Sequence, residues 1–189
     1  MSFLKSIALG GAVMAVLSAP AVADTLDFNG LGLGDSAATV MIGNATLTST
    51  TPGGFAVLDP GANGICFSNA AQTSCEGDGI LAFNDIVENL SFDVSVFDPG
   101  DNVTIAAFNG ASQVGLLTFN TMAGVADFTA SGNITSLVFD DSSTGAGFAY
   151  QNFSFDTVVA GVPIPASMPL LAGGLALAGF VARRKKRKA

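Results

Sequence analysis

The stretch NLSFDVSVF, from Asn89 to Phe97, decides the fold class of this chain. Apolar residues occupy every second position, and small or acidic residues fill the positions between them; the apolar ones are Leu90, Phe92, Val94 and Val96. Because successive side chains of a strand point to opposite faces of a sheet, this alternation predicts a half-buried β-strand.

Stretches with a similar rhythm lie on both sides of it. They are TLDFN (25–29), TVMIGNATLTS (39–49), NVTIAAF (102–108), QVGLLTF (113–119), ITSLVF (134–139) and AYQNFSFDTV (149–158). Turn signals punctuate them: Asn-Gly at 29–30, 63–64 and 109–110, and Asp-Pro-Gly at 59–61 and 98–100. No stretch between Asp24 and Gly161 shows a sustained helical period. The pattern therefore predicts an all-β domain, an antiparallel β-sandwich or jelly roll.

The charges are distributed very unevenly. The region from Asp24 to Ala182 contains all fifteen Asp and Glu residues and none of the seven Lys and Arg residues. Its carboxylates have no basic side chain with which to pair, so the region repels nucleic acid and attracts divalent cations. We expect no nucleic-acid binding.

The N-terminal segment has the features of a secretory signal peptide, assigned to residues 1–23. Lys5 precedes an apolar run from Ile7 to Leu17. Ala21 and Ala23 then form a small-x-small cleavage pattern, which makes Asp24 the expected first residue of the exported protein. The alternative is an uncleaved anchor helix.

Cys66 and Cys75 are the only cysteines. In the oxidising compartment that an exported protein enters, two cysteines this close are expected to form a disulfide. Such a small loop stabilises the fold by roughly 2–3 kcal/mol in the chain-entropy model. The alternative is a pair of free thiols.

The residues available for catalysis are few. The chain has no His, so it lacks a Ser-His or Cys-His pair and an imidazole base. One Tyr and no Trp are present, which weakens the case for stacking a sugar on an aromatic ring. We predict that the protein is not an enzyme; an acid-pair glycosidase is the catalytic alternative, since it needs only two suitably spaced carboxylates.

A structural calcium ion is a more reasonable use of the acidic loops. Ca²⁺ prefers carboxylate and carbonyl oxygens, and the DPGDN stretch brings Asp98, Asp101 and Asn102 within five residues. These three are the candidate ligands. The alternative is that they are solvated turn residues.

The segment 162–189 combines three features in a fixed order. A VPIPA motif (Val162, Pro163, Ile164, Pro165 and Ala166) precedes an apolar stretch and a basic cluster (Arg183, Arg184, Lys185, Lys186, Arg187 and Lys188). The part after Pro169 predicts a transmembrane-like helix of about 20 Å, shorter than the ~30 Å hydrocarbon core. The basic cluster would stop transfer and stay cytoplasmic, with the acidic domain outside.

This segment resembles the VPLPA type of PEP-CTERM sorting tails, with Ile164 in place of the usual leucine. The resemblance implies recognition and cleavage by a membrane exosortase in a Gram-negative bacterium that makes extracellular polysaccharide. It also implies release or transfer to the cell surface or matrix. The alternative is an ordinary single-pass anchor.

Residues 24–161 also resemble the short β-sandwich domains that carry such tails, although Gln151-Asn152 stands where related closing strands often have Asp-Asn. The expected role is structural or adhesive in extracellular polysaccharide or biofilm. A calcium-dependent carbohydrate-binding module is the competing hypothesis.

Overall fold

One long strand organises the sheet in the computed structural model, which describes residues 23–31, 38–58, 63–98, 100–120, 123–142 and 145–158. This strand, β6 (Gly79–Val96), contains most of the stretch on which the fold prediction was based. Leu90, Phe92 and Val94 are buried as the alternation predicted. All described residues belong to one compact unit, Pro20–Val158.

Eleven strands are present in the described part of the chain, and each pairing between them is antiparallel. Besides β6 they are β1 (Ala23–Thr25), β2 (Thr39–Ile42), β3 (Ala45–Ser49), β4 (Phe55–Val57), β5 (Gly64–Phe67), β7 (Asn102–Asn109), β8 (Ser112–Asn120), β9 (Gly124–Asp127), β10 (Ile134–Asp141) and β11 (Phe148–Thr157). The only helical pieces in these ranges are two 3-10 turns, Asn29–Leu31 and Thr129–Ser131. The all-β prediction is confirmed.

The strand β6 takes part in two sets of pairings. Its residues 79–83 lie between β3 and β10, in the order β2-β3-β6-β10-β7-β8, which we call the β8 ladder. Its residues 91–96 lie along β11, in the order β9-β6-β11-β5-β4, which we call the β11 ladder. The strand β1 also pairs with β11.

A phenylalanine-rich core lies where the two ladders meet. Phe139 of the β8 ladder approaches Tyr150 of the β11 ladder, with 4.5 Å between ring centroids. Phe92 stacks on Phe153 at 4.4 Å and also contacts Phe139 at 6.0 Å. These four rings are at most 1% exposed. Burial of such large apolar side chains supplies most of the favourable free energy of folding.

The first predicted strand is shorter than expected. TLDFN was predicted as a strand over 25–29, but β1 ends at Thr25. The Asp27 carboxylate accepts the Asn29 backbone N–H at 3.0 Å, and Leu31 N–H bonds the Phe28 carbonyl at 3.1 Å. These local bonds draw the chain into a 3-10 turn in place of an extended strand. The Asn-Gly at 29–30 lies in this turn, whereas the Asn-Gly at 109–110 reverses the β7–β8 hairpin with Gly110 at φ 59°.

Candidate functional site

The predicted disulfide is present in the structure. Cys66 of β5 is bonded to Cys75, whose backbone bridges to Gly147 before β11. The bond closes a loop with a sequence separation of 9 residues. It fixes β5 to the segment that leads into β6, and no free cysteine remains.

Polar side chains order the loop that this disulfide closes. The Asn69 side chain donates to Ser74 Oγ at 2.7 Å and accepts the Thr73 N–H at 3.0 Å. Ser74 Oγ in turn donates to Glu76 Oε2 at 2.7 Å. One carboxylate oxygen of Glu76 therefore acts as an acceptor within the loop.

Two of the three candidate calcium ligands come together at Gly145. Asp101 is 3% exposed, and its Oδ2 accepts the Gly147 backbone N–H at 2.7 Å. A methyl group placed on Gly145 would lie 2.8 Å from Asp101 Oδ1 and 3.0 Å from Asp98 Oδ2. The third candidate, Asn102, directs its side-chain amide to Ser142 Oγ at 3.2 Å. The absence of a side chain at Gly145 leaves space between the Asp98 and Asp101 carboxylates.

A second acidic pair lies beside the first. Asp141 ends β10 and donates its backbone N–H to Asp78 Oδ1 at 2.8 Å. The following residue, Ser142, donates its N–H to the carbonyl of Asn102 at 3.0 Å, which connects this pair to the start of β7. We call the four residues Asp78, Asp98, Asp101 and Asp141 the acidic end.

Tyr150 is the one tyrosine of the chain, and it is 1% exposed. Its hydroxyl has no hydrogen-bond partner among the described residues. Burial raises the pKa of this phenol well above its ordinary value of 10.0, and the negative charges of Asp141 and Asp78 raise it further. Tyr150 therefore stays neutral at physiological pH.

The acidic end can attract a cation, but it is not a complete cage of carboxylates. Within the described ranges, no group of three or more His, Cys, Asp or Glu side chains is placed to hold a metal ion. An ion at Asp98 and Asp101 would need backbone carbonyls or water for its other ligands, as Ca²⁺ commonly uses. The sequence has no basic side chain between Asp24 and Ala182 to compensate these charges.

Sequence reasoning missed a polar row on β6 and β11. Asn152 of β11 donates its side-chain amide to Asp93 of β6, and Asn89 of β6 donates to Asp156 of β11, each at 2.7 Å. Both asparagines have positive φ, 54° and 55°, inside otherwise extended strands. The pairing of β6 with β11 shifts register beside Asn152, so it is part of a β-bulge. The signal that the sequence offered for this bulge was an asparagine in the middle of an alternating strand, because asparagine tolerates a positive φ better than most residues.

Most of the predicted targeting residues lie outside the described residues. These are Ala21, the sorting motif 162–166 and the basic cluster 183–188. Ala23 and Asp24 are described, and both lie in β1, opposite Asp156 and Phe155. No helix in the described part of the chain is long and apolar enough to cross a bilayer.

No family model matches the chain, and no curated protein does. Among solved structures it is similar to a mutant of CBM29-2, a family 29 carbohydrate-binding module. The identity is 16% over 74% of this chain and 87% of that chain, and the TM-score is 0.36. A similarity with so low a TM-score supports no inference about the function of this chain, which has to be inferred from its own residues.

Proposed function

We propose that the protein is an exported surface or matrix protein of a Gram-negative bacterium, processed by a membrane exosortase. The observation that carries the proposal is the ordered tail within 162–189: a VPIPA motif, then an apolar stretch, then a basic cluster. The Cys66–Cys75 disulfide supports it, because such bonds persist in oxidising compartments. The signal-peptide pattern of residues 1–23 supports export independently.

We infer that the exported domain, residues 24–161, is a β-sandwich. The contact of Phe139 with Tyr150 supports this, because it joins the inner faces of the β8 and β11 ladders. Sheets that pack face to face bury alternate residues of each strand in this way. The long strand β6 would then belong to both layers and cross from one to the other between residues 83 and 91.

The role of this domain is structural or adhesive within extracellular polysaccharide, and it is not catalytic. The sequence supplies no histidine, and its region 24–182 has no basic side chain to stabilise a developing negative charge. A domain with fifteen acidic residues also stays soluble and hydrated within a polymer matrix.

The intact mass of the native protein, measured by cell fraction in its own host, tests the processing. A chain that starts at Asp24 and ends within Val162–Ala166 is the expected result, and any added mass identifies the attached group. A membrane-bound chain that still carries the basic cluster would overturn the sorting proposal and leave a permanent anchor.

A calcium-dependent carbohydrate-binding module is the second candidate function. The convergence of Asp98 and Asp101 at Gly145 favours it, since a bound Ca²⁺ would screen two carboxylates that no cationic side chain can pair with. The test is a glycan array on the exported protein, with calcium and with a chelator. Binding to one glycan class that requires calcium would support the module; no binding in either condition would eliminate it.

The calcium site itself has a matched control. Asp98→Asn should reduce the rise in thermal midpoint that Ca²⁺ produces, whereas Asp85→Asn, the same charge change at an exposed residue of β6, should not. An equal response in both variants would mean that calcium acts only by general screening of the negative charge.

A further inference from the structure

The strand β8 is an open edge of the sheet in the described part of the chain. It pairs with β7 along one side, from Asn109–Ser112 at the hairpin to Asn102–Asn120 at the other end. It is the last strand of the ladder order, and no described strand pairs with its other side. One row of backbone N–H and C=O groups therefore faces outward.

This edge differs from the other edges in length. The outer strands β2, β4 and β9 have only three or four residues each. Proteins commonly protect sheet edges with short strands, charged side chains or proline. The strand β8 has nine residues and contains neither proline nor a charged residue.

The absence of charge extends beyond the strand. Residues 102–126 contain no Asp, Glu, Lys or Arg, in a region that otherwise carries fifteen acidic side chains. The nearest acidic residues in the paired rows are Asp140 and its neighbour Asp141 in β10. Through β7 they align with Thr118 and Phe119 of β8. Two strand spacings separate these residues from the edge, about 10 Å, which is about one Debye length at 0.1 M salt.

The side chains of the edge also favour a protein partner. Leu116 is 55% exposed, and Thr118 is exposed two residues later on the same face. Leu117 and Phe119, on the opposite face, pack against the core and hold the strand in place. A second extended strand laid along β8 would cover Leu116 and satisfy the outward backbone groups.

We propose that β8 pairs with β8 of a second copy of this chain. The arrangement is antiparallel and isologous, so the β8 ladder of one copy continues into that of the other. A second copy fits because its own β8 offers an equally long and uncharged edge, which places no carboxylate against the first. Any of the other outer strands would offer at most four residues for pairing.

Sedimentation of the protein, expressed as the full chain and recovered from the exported fraction, provides the first test. The wild-type protein should form a dimer that strengthens as salt is added, because salt screens the repulsion between two acidic bodies. Thr118→Lys should raise the dimer dissociation constant about tenfold or more, since a charged edge residue opposes strand addition. Thr50→Lys, the matched change at an exposed residue after β3, should leave it unchanged.

Cross-linking provides a test that does not depend on affinity. Antiparallel pairing along the whole of β8 places its middle residue, Leu116, opposite Leu116 of the second copy. Both native cysteines are in the disulfide, so Leu116→Cys introduces the only free thiol at a position where two copies can be joined. Mild oxidation should join two copies of this variant and should not join copies of Thr50→Cys.

Three results would overturn the proposal. One is a monomer at all concentrations with a freely reactive thiol at position 116. Another is a dimer that is unaffected by Thr118→Lys, which would place the interface elsewhere. The third is a monomer whose position-116 thiol is protected, which would mean that another segment of the same chain covers β8. None of these results bears on export or tail processing, so failure here is distinguishable from failure of the proposed function.

Discussion

Tyr150 is expected to make the stability of this protein depend on pH only under alkaline conditions. Burial and the nearby carboxylates of Asp141 and Asp78 raise its pKa well above 10.0 in the folded state, whereas the unfolded chain titrates near the ordinary value. A raised pKa means that the stabilisation is fully present below pH 10 and is lost as the pH rises above it. Raising the pH is therefore the perturbation to apply.

The size of this loss follows from linkage. Between the two pKa values the unfolded state binds one proton fewer than the folded state. The free energy of unfolding should therefore fall by about 1.4 kcal/mol for each pH unit above 10. Residues 24–161 contain no Lys, Arg or His, and both cysteines are bonded, so Tyr150 is the one side chain there of a type that ordinarily titrates at alkaline pH.

Denaturant unfolding at a series of pH values measures this dependence, and the phenolate absorbance measures the titration directly. The sequence has one Tyr and no Trp, so that absorbance reports Tyr150 alone. The phenolate should appear together with loss of β-sheet circular dichroism. Tyr150→Phe is the control: its stability should stay flat above pH 10. It should also exceed the wild-type value by about 1 kcal/mol, because an unsatisfied buried hydroxyl is removed.

A phenolate that forms reversibly near pH 10 while the sheet remains intact would refute the reasoning. That result would mean that water or an alternative conformation reaches the hydroxyl. A Tyr150→Phe variant with the same alkaline dependence as the wild type would refute it equally, since the titrating group would then be another one.

Three further changes should alter stability in denaturant unfolding. Replacing both cysteines with alanine should cost about 2–3 kcal/mol, and an equal midpoint would show that the loop is ordered without the bond. Gly79→Ala should lower the free energy of unfolding by about 1–3 kcal/mol, because a methyl group there would overlap the buried Phe67 ring. The control is Gly30→Ala, which should have little effect because a methyl group at that position meets open space. Asn63→Ala should lower the free energy of unfolding by about 1–2 kcal/mol, because the Asn63 side chain accepts the Phe28 backbone N–H at 2.8 Å. Hydrogen exchange at the Phe28 amide should become faster. An unchanged exchange rate would contradict this account.

Sequence patterns predicted the strands that bury one face and expose the other. The clearest case is the second half of β6, whose buried Leu90, Phe92 and Val94 alternate with small or acidic residues. The strands β7, β8, β10 and β11 were predicted from similar but less regular stretches. The first half of β6 was missed because Ile80 and Ala82, on its outward face, are as apolar as the inward Leu81 and Phe83. Strand β5 was missed because all four of its residues are buried, so it shows no alternation.

The site was less predictable than the fold because it depends on contacts between distant segments. The DPGDN stretch identified Asp98 and Asp101, but the space between them is created by Gly145, which follows β10. Likewise, Asn63 was expected only to form a turn. Its side chain instead accepts a hydrogen bond from the Phe28 N–H and donates one to the Leu26 carbonyl. These two bonds replace the ones that a neighbouring strand would make beyond the end of β1. Neither arrangement has a local signature.

The uneven distribution of charge affects the stability of the domain, its proposed ion binding and its proposed self-association. Fifteen acidic side chains and no basic ones in residues 24–182 mean that no internal ion pair offsets their repulsion. Stability must then come from the phenylalanine core, the sheet and the disulfide, which do not depend on charge. Conversely, whatever lowers the repulsion favours association through the uncharged β8 edge. Under the two proposals above, divalent cations would both stabilise the acidic end and favour the pairing of β8, although the two sites share no residue.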